Sequence, residues 1–216
     1  VDSTHLQRFL QTMTIRLHRG DLPDLSRYTQ SVAIDTETLG LNPHRDRLCV
    51  VQLSAGDGTA DVVQIRRGGP RPEQLIKLLT DPAVTKIFHF ARFDVAVLYN
   101  TFGVMPAPVY CTKIASKLAR TYTDRHGLKD VVRETVGVDL SKQQQSSDWA
   151  AETLTDAQLD YAASDVLHLH ALMDGLVVRL EREGRTKEAE ACFRFLPTRA
   201  RLDLMGWPET DLFAHS

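Results

Sequence analysis

Seven apolar residues, Leu159, Ala162, Val166, Leu169, Met173, Leu176 and Leu180, recur at alternating spacings of three and four, the period that lines side chains along one stripe of an α-helix. A stripe of that length must be covered, so the pattern predicts a long amphipathic helix over residues 155–180, started by Thr155-Asp156 and packed on another layer. That layer is written earlier in the chain. Residues 31–36 (SVAIDT), 47–53 (RLCVVQL) and 60–65 (ADVVQI) are short and β-branched, and the turn residues Asn42-Pro43 and Gly56-Asp57-Gly58 separate them, which predicts three strands at hairpin spacing. A helix over 72–79 opens on Pro72, a strand follows over 86–90, and a helix then carries Val95, Val97 and Leu98. A last helical stretch runs from about 186, is interrupted near Pro197, and continues towards Leu204 and the Gly206-Trp207-Pro208 break. Strands gathered early and helices late predict a single α/β domain, a mixed sheet flanked by helices, rather than a βαβ barrel.

The chain has 216 residues, enough to bury a sizeable core, and 43% of them are hydrophobic and 25% charged, the composition of a globular protein. Its 26 Lys and Arg against 28 Asp and Glu give a net charge of −2, which excludes binding of nucleic acid or membrane by bulk positive charge. Cys49, Cys111 and Cys192 are odd in number and widely spaced, so neither a disulfide framework nor a zinc knuckle is indicated. No apolar run of signal-peptide or membrane-spanning length occurs. The expectation is a soluble, cytoplasmic protein without a membrane partner.

Charge inside apolar patterns marks where chemistry could sit. Asp35 and Glu37 close the first apolar strand, and side chains two apart on a strand share a face, so the two carboxylates would project together into one cleft. Asp94 falls in the opening turn of the helix after the strand Lys86-Ile87-Phe88-His89-Phe90. Tyr161 and Asp165 are four apart on the long helix, hence on one face, with the small residues Ala162, Ala163 and Ser164 between them. Taken singly, each has a plain structural explanation, such as a strand-end pair or an aspartate satisfying a helix N-terminus. Jointly, four carboxylates and a tyrosine at element ends supply hard oxygen ligands suited to Mg²⁺ or Mn²⁺, and two such ions about 3.5–4 Å apart are the usual device for in-line attack on a phosphodiester. His168 and His170 lie two apart on a helix and point apart, without the spacing of a zinc site.

Three stretches, AIDTETLGLNP, KIFHFARFDVAVL and SSDWAAETLTDAQLDYAASDVLHL, resemble the DEDDy branch of the DnaQ-like 3′-to-5′ exonucleases, and within it the ribonuclease D subgroup, over residues 16–180. The resemblance implies a ribonuclease H-like fold for one exonuclease domain spanning 1–216, with a core over 16–180 and a helical extension over 184–216; unlike many ribonuclease D relatives, a chain of this length is expected to carry no separate C-terminal nucleic-acid-binding domain. It implies Asp35, Glu37, Asp94, Tyr161 and Asp165 as catalytic residues, the four carboxylates holding two divalent cations, Mg²⁺ or Mn²⁺, with Asp35 shared between them and Asp94 acting through water. With an ordinary pKa of about 10 a tyrosine is a poor base at neutral pH, so Tyr161 is assigned to orient the attacking water. Leu39 is similar to an apolar residue that wedges against the terminal base, and Thr36 and His89 stand beside the carboxylates as further substrate contacts. Single-stranded RNA or tRNA-like 3′ ends are the implied substrates, with DNA as the alternative, and an inactive binding scaffold is the reading from another class. Three departures from the pattern bear on substrate choice: Phe90 where many relatives have Asn, Cys111 where they tend to have Asp, and Glu152-Thr153 in place of Arg-Pro.

Charge segregation fits a polyanionic substrate. Between Thr112 and Arg133 six cations face two acids, and Lys113, Lys117 and Arg120 recur at helical spacing as a candidate phosphate-binding face. From Glu134 to Asp165 seven acids meet one cation.

Overall fold

The protein is described by a computed structural model that covers residues 14–141 and 143–215. The elements run β1 (Thr14–Arg19), β2 (Ser31–Thr38), β3 (Leu48–Ser54), β4 (Thr59–Gln64), α1 (Glu73–Thr80), β5 (Thr85–Phe88), α2 (Ala91–Phe102), β6 (Val109–Cys111), α3 (Thr112–Ala119), α4 (Leu128–Val136), α5 (Asp156–Leu167), α6 (Leu169–Arg182) and α7 (Thr186–Leu204). They build one six-stranded sheet in the order β1-β4-β3-β2-β5-β6. β3 pairs antiparallel with β2 and β4, and all other pairings are parallel. The expected mixed sheet flanked by helices is what forms, and β2, β3 and β4 are the three strands expected at hairpin spacing.

Five strands therefore point one way and only β3 runs back. The C-terminal ends of β2 and β5 share a sheet edge with the start of β3, and α2 begins three residues after β5 ends. In the antiparallel pair, Asp35 lies opposite Gln52 and Glu37 opposite Val50, while Thr36 lies opposite Val51. Cross-strand partners share a face, so Asp35, Glu37, Gln52 and Val50 face one way and Thr36 and Val51 the other. α5 covers the first face, where Ala162 and Trp149 cluster with Val50 and Val62. The larger core lies on the opposite face, with Val51, Leu53 and Val63 against Leu75, Val95 and Leu98. The register shifts between Glu37 and Thr38, a bulge of the kind that re-aims side chains at the rim of a site.

Three expectations are corrected. The long helix over 155–180 is two helices joined at His168. α5 packs on β1 to β4, whereas α6 packs on α3 and α4, so the stripe must turn from the sheet to the helical layer, and its buried positions after the break become Leu169, Leu172, Leu176 and Leu180. The last helix runs through Pro197 without interruption. Its buried side, with Ala189, Phe193, Leu196 and Ala200, lies against α2 and β6, and that packing outweighs the lost backbone hydrogen bond. The strand over 86–90 ends at Phe88 because Phe90 takes left-handed angles, φ 73° and ψ 43°. No helix among the described residues is long and apolar enough to cross a membrane.

Candidate active site

The outer turn of each element near the sheet edge contributes one part of the cluster. Ligand oxygens of Asp35 and Glu37 from β2 and of Asp165 from α5 lie within 4.8 Å of one another. Gln52 reaches across from β3 and donates its Nε2–H to Asp35 Oδ2 at 3.1 Å. On the other side of β2 the Thr36 hydroxyl donates to Asp94 Oδ1 at 2.6 Å, which fixes the α2 carboxylate beside the group. Four of the five expected residues thus arrive from β2 and α5, and Asp94 is tied to them through Thr36.

α5 is placed by its own sequence. Thr155 forms a capping box, its hydroxyl accepting the Gln158 backbone N–H at 3.2 Å while Gln158 Oε1 accepts the Thr155 N–H at 2.9 Å. The same glutamine donates its Nε2–H to the Asp148 carbonyl at 3.0 Å, tying the loop that precedes Trp149 to the helix start. Trp149, only 2% exposed, then packs against the Tyr161 ring with centroids 6.0 Å apart. The segment from Ser147 to Asp165 is therefore one device, in which a cap, a loop and a buried indole set the azimuth of the tyrosine and the aspartate one turn beyond.

The electrostatics are those of negative charge gathered on a half-buried cleft wall. Burial pushes the Asp35 carboxyl up to about 7. Burial, with the Asp35, Asp165 and Asp94 carboxylates adding to it, pushes Glu37 up to about 10. Burial and then Asp35 raise Asp165 to about 8, and Asp94 is raised for the same two reasons. Burial, followed by Asp165, Glu37 and Asp35, holds the Tyr161 phenol well above its ordinary range, so it stays protonated at neutral pH. Such a cluster is stabilised by protons or by cations. Its all-oxygen donors, three within reach of one point, fit a hard divalent ion.

A cavity of about 310 Å³ opens on this group, with Thr36, His89, Lys113 and Lys129 on its walls beside the carboxylates and Tyr161. His89 donates Nε2–H to the His126 carbonyl at 3.0 Å and accepts the Thr112 hydroxyl at Nδ1 at 2.9 Å. Burial, with Lys113 next, pushes its pKa down to about 3, so it lines the cleft as a neutral ring. Leu39 is 54% exposed just beyond the β2 end, its N–H held by the Arg47 carbonyl at 3.2 Å. Lys117 is exposed and lines a neighbouring cavity.

Arg120 is not brought to the cleft. It is 1% exposed and is gripped internally, with Nε to Glu134 Oε1 at 3.0 Å, Nη1 to Ser116 Oγ at 2.9 Å and to the Arg125 carbonyl at 2.7 Å, and Nη2 to Glu134 Oε2. α3 ends at Ala119 and Arg120 is its C-cap at φ −118°, so the helical face carried by Lys113 and Lys117 stops before it. Arg120→Met is accordingly expected to lower stability by about 1–3 kcal/mol in urea unfolding, with kcat/KM of the remaining folded protein unchanged; a selective rise in KM would return Arg120 to the substrate. Gln52 is the residue that the sequence reading missed. Its only signal is a lone amide in the apolar run Cys49-Val50-Val51-Gln52-Leu53.

Residues 21–181 match the sequence family described as 3′-5′ exonuclease. The ribonuclease D of Gluconacetobacter diazotrophicus is 40% identical over 154 residues, which make up 71% of this chain and 39% of that protein. The chain thus spans about two fifths of the length of that curated relative. Brucella melitensis NrnC with bound Mg²⁺ is similar at 68% identity and a TM-score of 0.91, over 94% of this chain and 100% of that one. The same protein bound to pGG is similar at 68% identity and a TM-score of 0.92, over 95% and 100% of the two chains.

Proposed function

The chain belongs to the 3′-5′ exonuclease family, whose match takes in all five clustered side chains, and from that membership we propose that it is a ribonuclease D-like, metal-dependent exoribonuclease that removes nucleoside 5′-monophosphates from RNA 3′ ends. The observation that carries this reading is the convergence of Asp35, Glu37 and Asp165 within 4.8 Å under a tyrosine. Asp35, Glu37 and Asp165 would hold one divalent cation, Mg²⁺ or Mn²⁺, and Asp35 with Asp94 a second. When bound, such ions supply the positive charge that activates a water and neutralises the phosphoryl oxygens.

The chain's own groups do the rest. Gln52 holds Asp35 and Thr36 holds Asp94, so neither carboxylate needs to reorganise when charge develops. The protonated Tyr161 hydroxyl, locked by Trp149, orients the attacking water. Lys113 on the cleft wall meets the charge of the substrate phosphate, and Leu39 wedges the terminal base. The pGG complex of the Brucella relative supports very short strands among the substrates. Tyr161→Phe is expected to cut kcat by about 10²-fold with KM little changed and the melting temperature preserved, because the ring contact with Trp149 remains.

The deciding assay uses 5′-labelled RNA and a DNA of matching sequence with Mg²⁺ or Mn²⁺. RNA is expected to shorten as a ladder from its 3′ end and to be protected by a 3′-phosphate. Faster decay of the DNA would make the protein a DNA exonuclease. No cleavage of either strand with either metal would leave only a binding scaffold.

A further inference from the structure

A second cavity, of about 320 Å³, lies beside the carboxylate cleft, with Phe90, Lys113, Lys117, Phe195 and Arg199 among its walls. Lys113 lines both cavities, and His89, on the wall of the first, immediately precedes Phe90. The Phe90 backbone, its exposed ring and the charge around it stand out here.

Phe90 is the only residue other than glycine with positive φ among the described residues. A phenylalanine is strained in the left-handed region, where Asn sits far more easily. Burial does not account for it either, because the ring is 44% exposed. A strained, exposed aromatic at the first step of α2, next to a cleft wall, is the pattern of a residue kept for what it touches.

The charge around it is also selective. Arg92 and Arg199 both belong to Asp203, at 2.5 Å each. Lys113 and Lys117 form no ion pair among the described residues, and the Lys113 ammonium sits 4.3 Å from the Phe90 ring centroid. The cavity therefore offers an aromatic surface, the apolar walls of Ile114, Phe195 and Leu196, and two ammonium groups without a counter-charge. Its volume is in the range that takes a small planar ligand.

We propose that this cavity is a nucleotide subsite, in which the base immediately 5′ to the cleaved nucleotide stacks on Phe90 while Lys113 and Lys117 hold the phosphate joined to it. Aromatic stacking reads any base through its π-face, and paired lysines read phosphate. The inference rests on the exonuclease reading above.

The test compares the parent protein with Phe90→Asn, Phe90→Tyr and Phe90→Trp on the dinucleotide pGG and on the 4-nitrophenyl ester of thymidine 5′-monophosphate, which lacks a second base. Phe90→Asn is expected to raise KM for pGG about tenfold with kcat nearly constant, so that the ratio of kcat/KM on pGG to that on the ester falls. It is also expected to raise the melting temperature, since the left-handed strain is relieved. Phe90→Tyr should restore KM. With Ca²⁺ in place of the active metal, Phe90→Trp should show fluorescence quenching by pGG beyond that of the parent's two tryptophans. An unchanged KM in Phe90→Asn, or a KM change that appears only with a changed sedimentation coefficient, would overturn the subsite. Failure of the parent to shorten any strand would instead remove the exonuclease reading, so the two failures are distinct.

Discussion

Asp35→Asn is expected to lower kcat on RNA by about 10³-fold or more and, in the same protein, to raise stability in the absence of metal. The loss follows from position. Asp35 is the one carboxylate that faces both Glu37 and Asp165 while being oriented from β3 by Gln52, so neutralising it weakens the hold on every cation at the site, and several kcal/mol of charge stabilisation correspond to about three decades of rate. The gain follows from the same geometry. Three half-buried carboxylates packed within 4.8 Å repel one another, and the amide of Asn can still accept the Gln52 hydrogen bond. Removing one charge should add about 1–3 kcal/mol at pH 8, a trade of stability against activity that is common at sites built on strain. Urea unfolding in EDTA and the labelled-RNA assay read the two effects separately. A variant that stayed active, or that lost both activity and stability, would show that Asp35 is an ordinary structural residue.

What could be read ahead of the structure, and what could not, divides on whether the signal is local. β2, β3 and β4 were legible because β-branched runs are set off by Asn42-Pro43 and Gly56-Asp57-Gly58. β1 was not, since its sequence TIRLHR carries charges that become acceptable only when Asp61 of β4 receives Arg16 and His18 at 2.8 Å each, Arg27 at 2.9 Å and the Tyr28 hydroxyl at 2.6 Å. At three residues, β6 is too short to show any period. The two backbone periodicities put Asp35 with Glu37, and Tyr161 with Asp165, on common faces, but each pair alone had a plain structural explanation, and only the set of five and its resemblance to the exonucleases marked them as a site. Gln52 has meaning only once the register sets it opposite Asp35. Arg120 was misread for the converse reason: helical spacing aligned it with Lys113 and Lys117, but the end of α3 and the distant Glu134 decide where its guanidinium goes. The break at His168 is likewise a tertiary choice, made where the stripe leaves the sheet for α3 and α4.

The carboxylate cluster should make the protein's stability fall as pH rises, and divalent cations should reverse that fall. Asp35, Asp165 and Glu37 are pushed up to about 7, 8 and 10 respectively, whereas in the unfolded chain such groups titrate near 4. Because the folded state holds these protons more tightly than the unfolded state does, their contribution is fully present below about pH 4 and is lost progressively as pH climbs through the folded values, a window from about pH 4 to about pH 10. Each proton released on unfolding changes stability by about 1.4 kcal/mol per pH unit, so between about pH 6 and pH 8.5 the metal-free protein should lose several kcal/mol from this site. A cation competes with those protons for the same oxygens, and its stabilisation grows with the fraction of carboxylates already ionised. In EDTA the melting temperature is therefore expected to drop over that interval, and the increase produced by Mn²⁺ to be larger at the higher pH. Asp35→Asn combined with Asp165→Asn should flatten both dependences. A Mn²⁺ shift of equal size at both pH values would mean that the ion binds elsewhere. A melting temperature that rises with pH in EDTA would mean that the three side chains are ionised and solvated in the folded protein, and that the cation is not needed to hold them together.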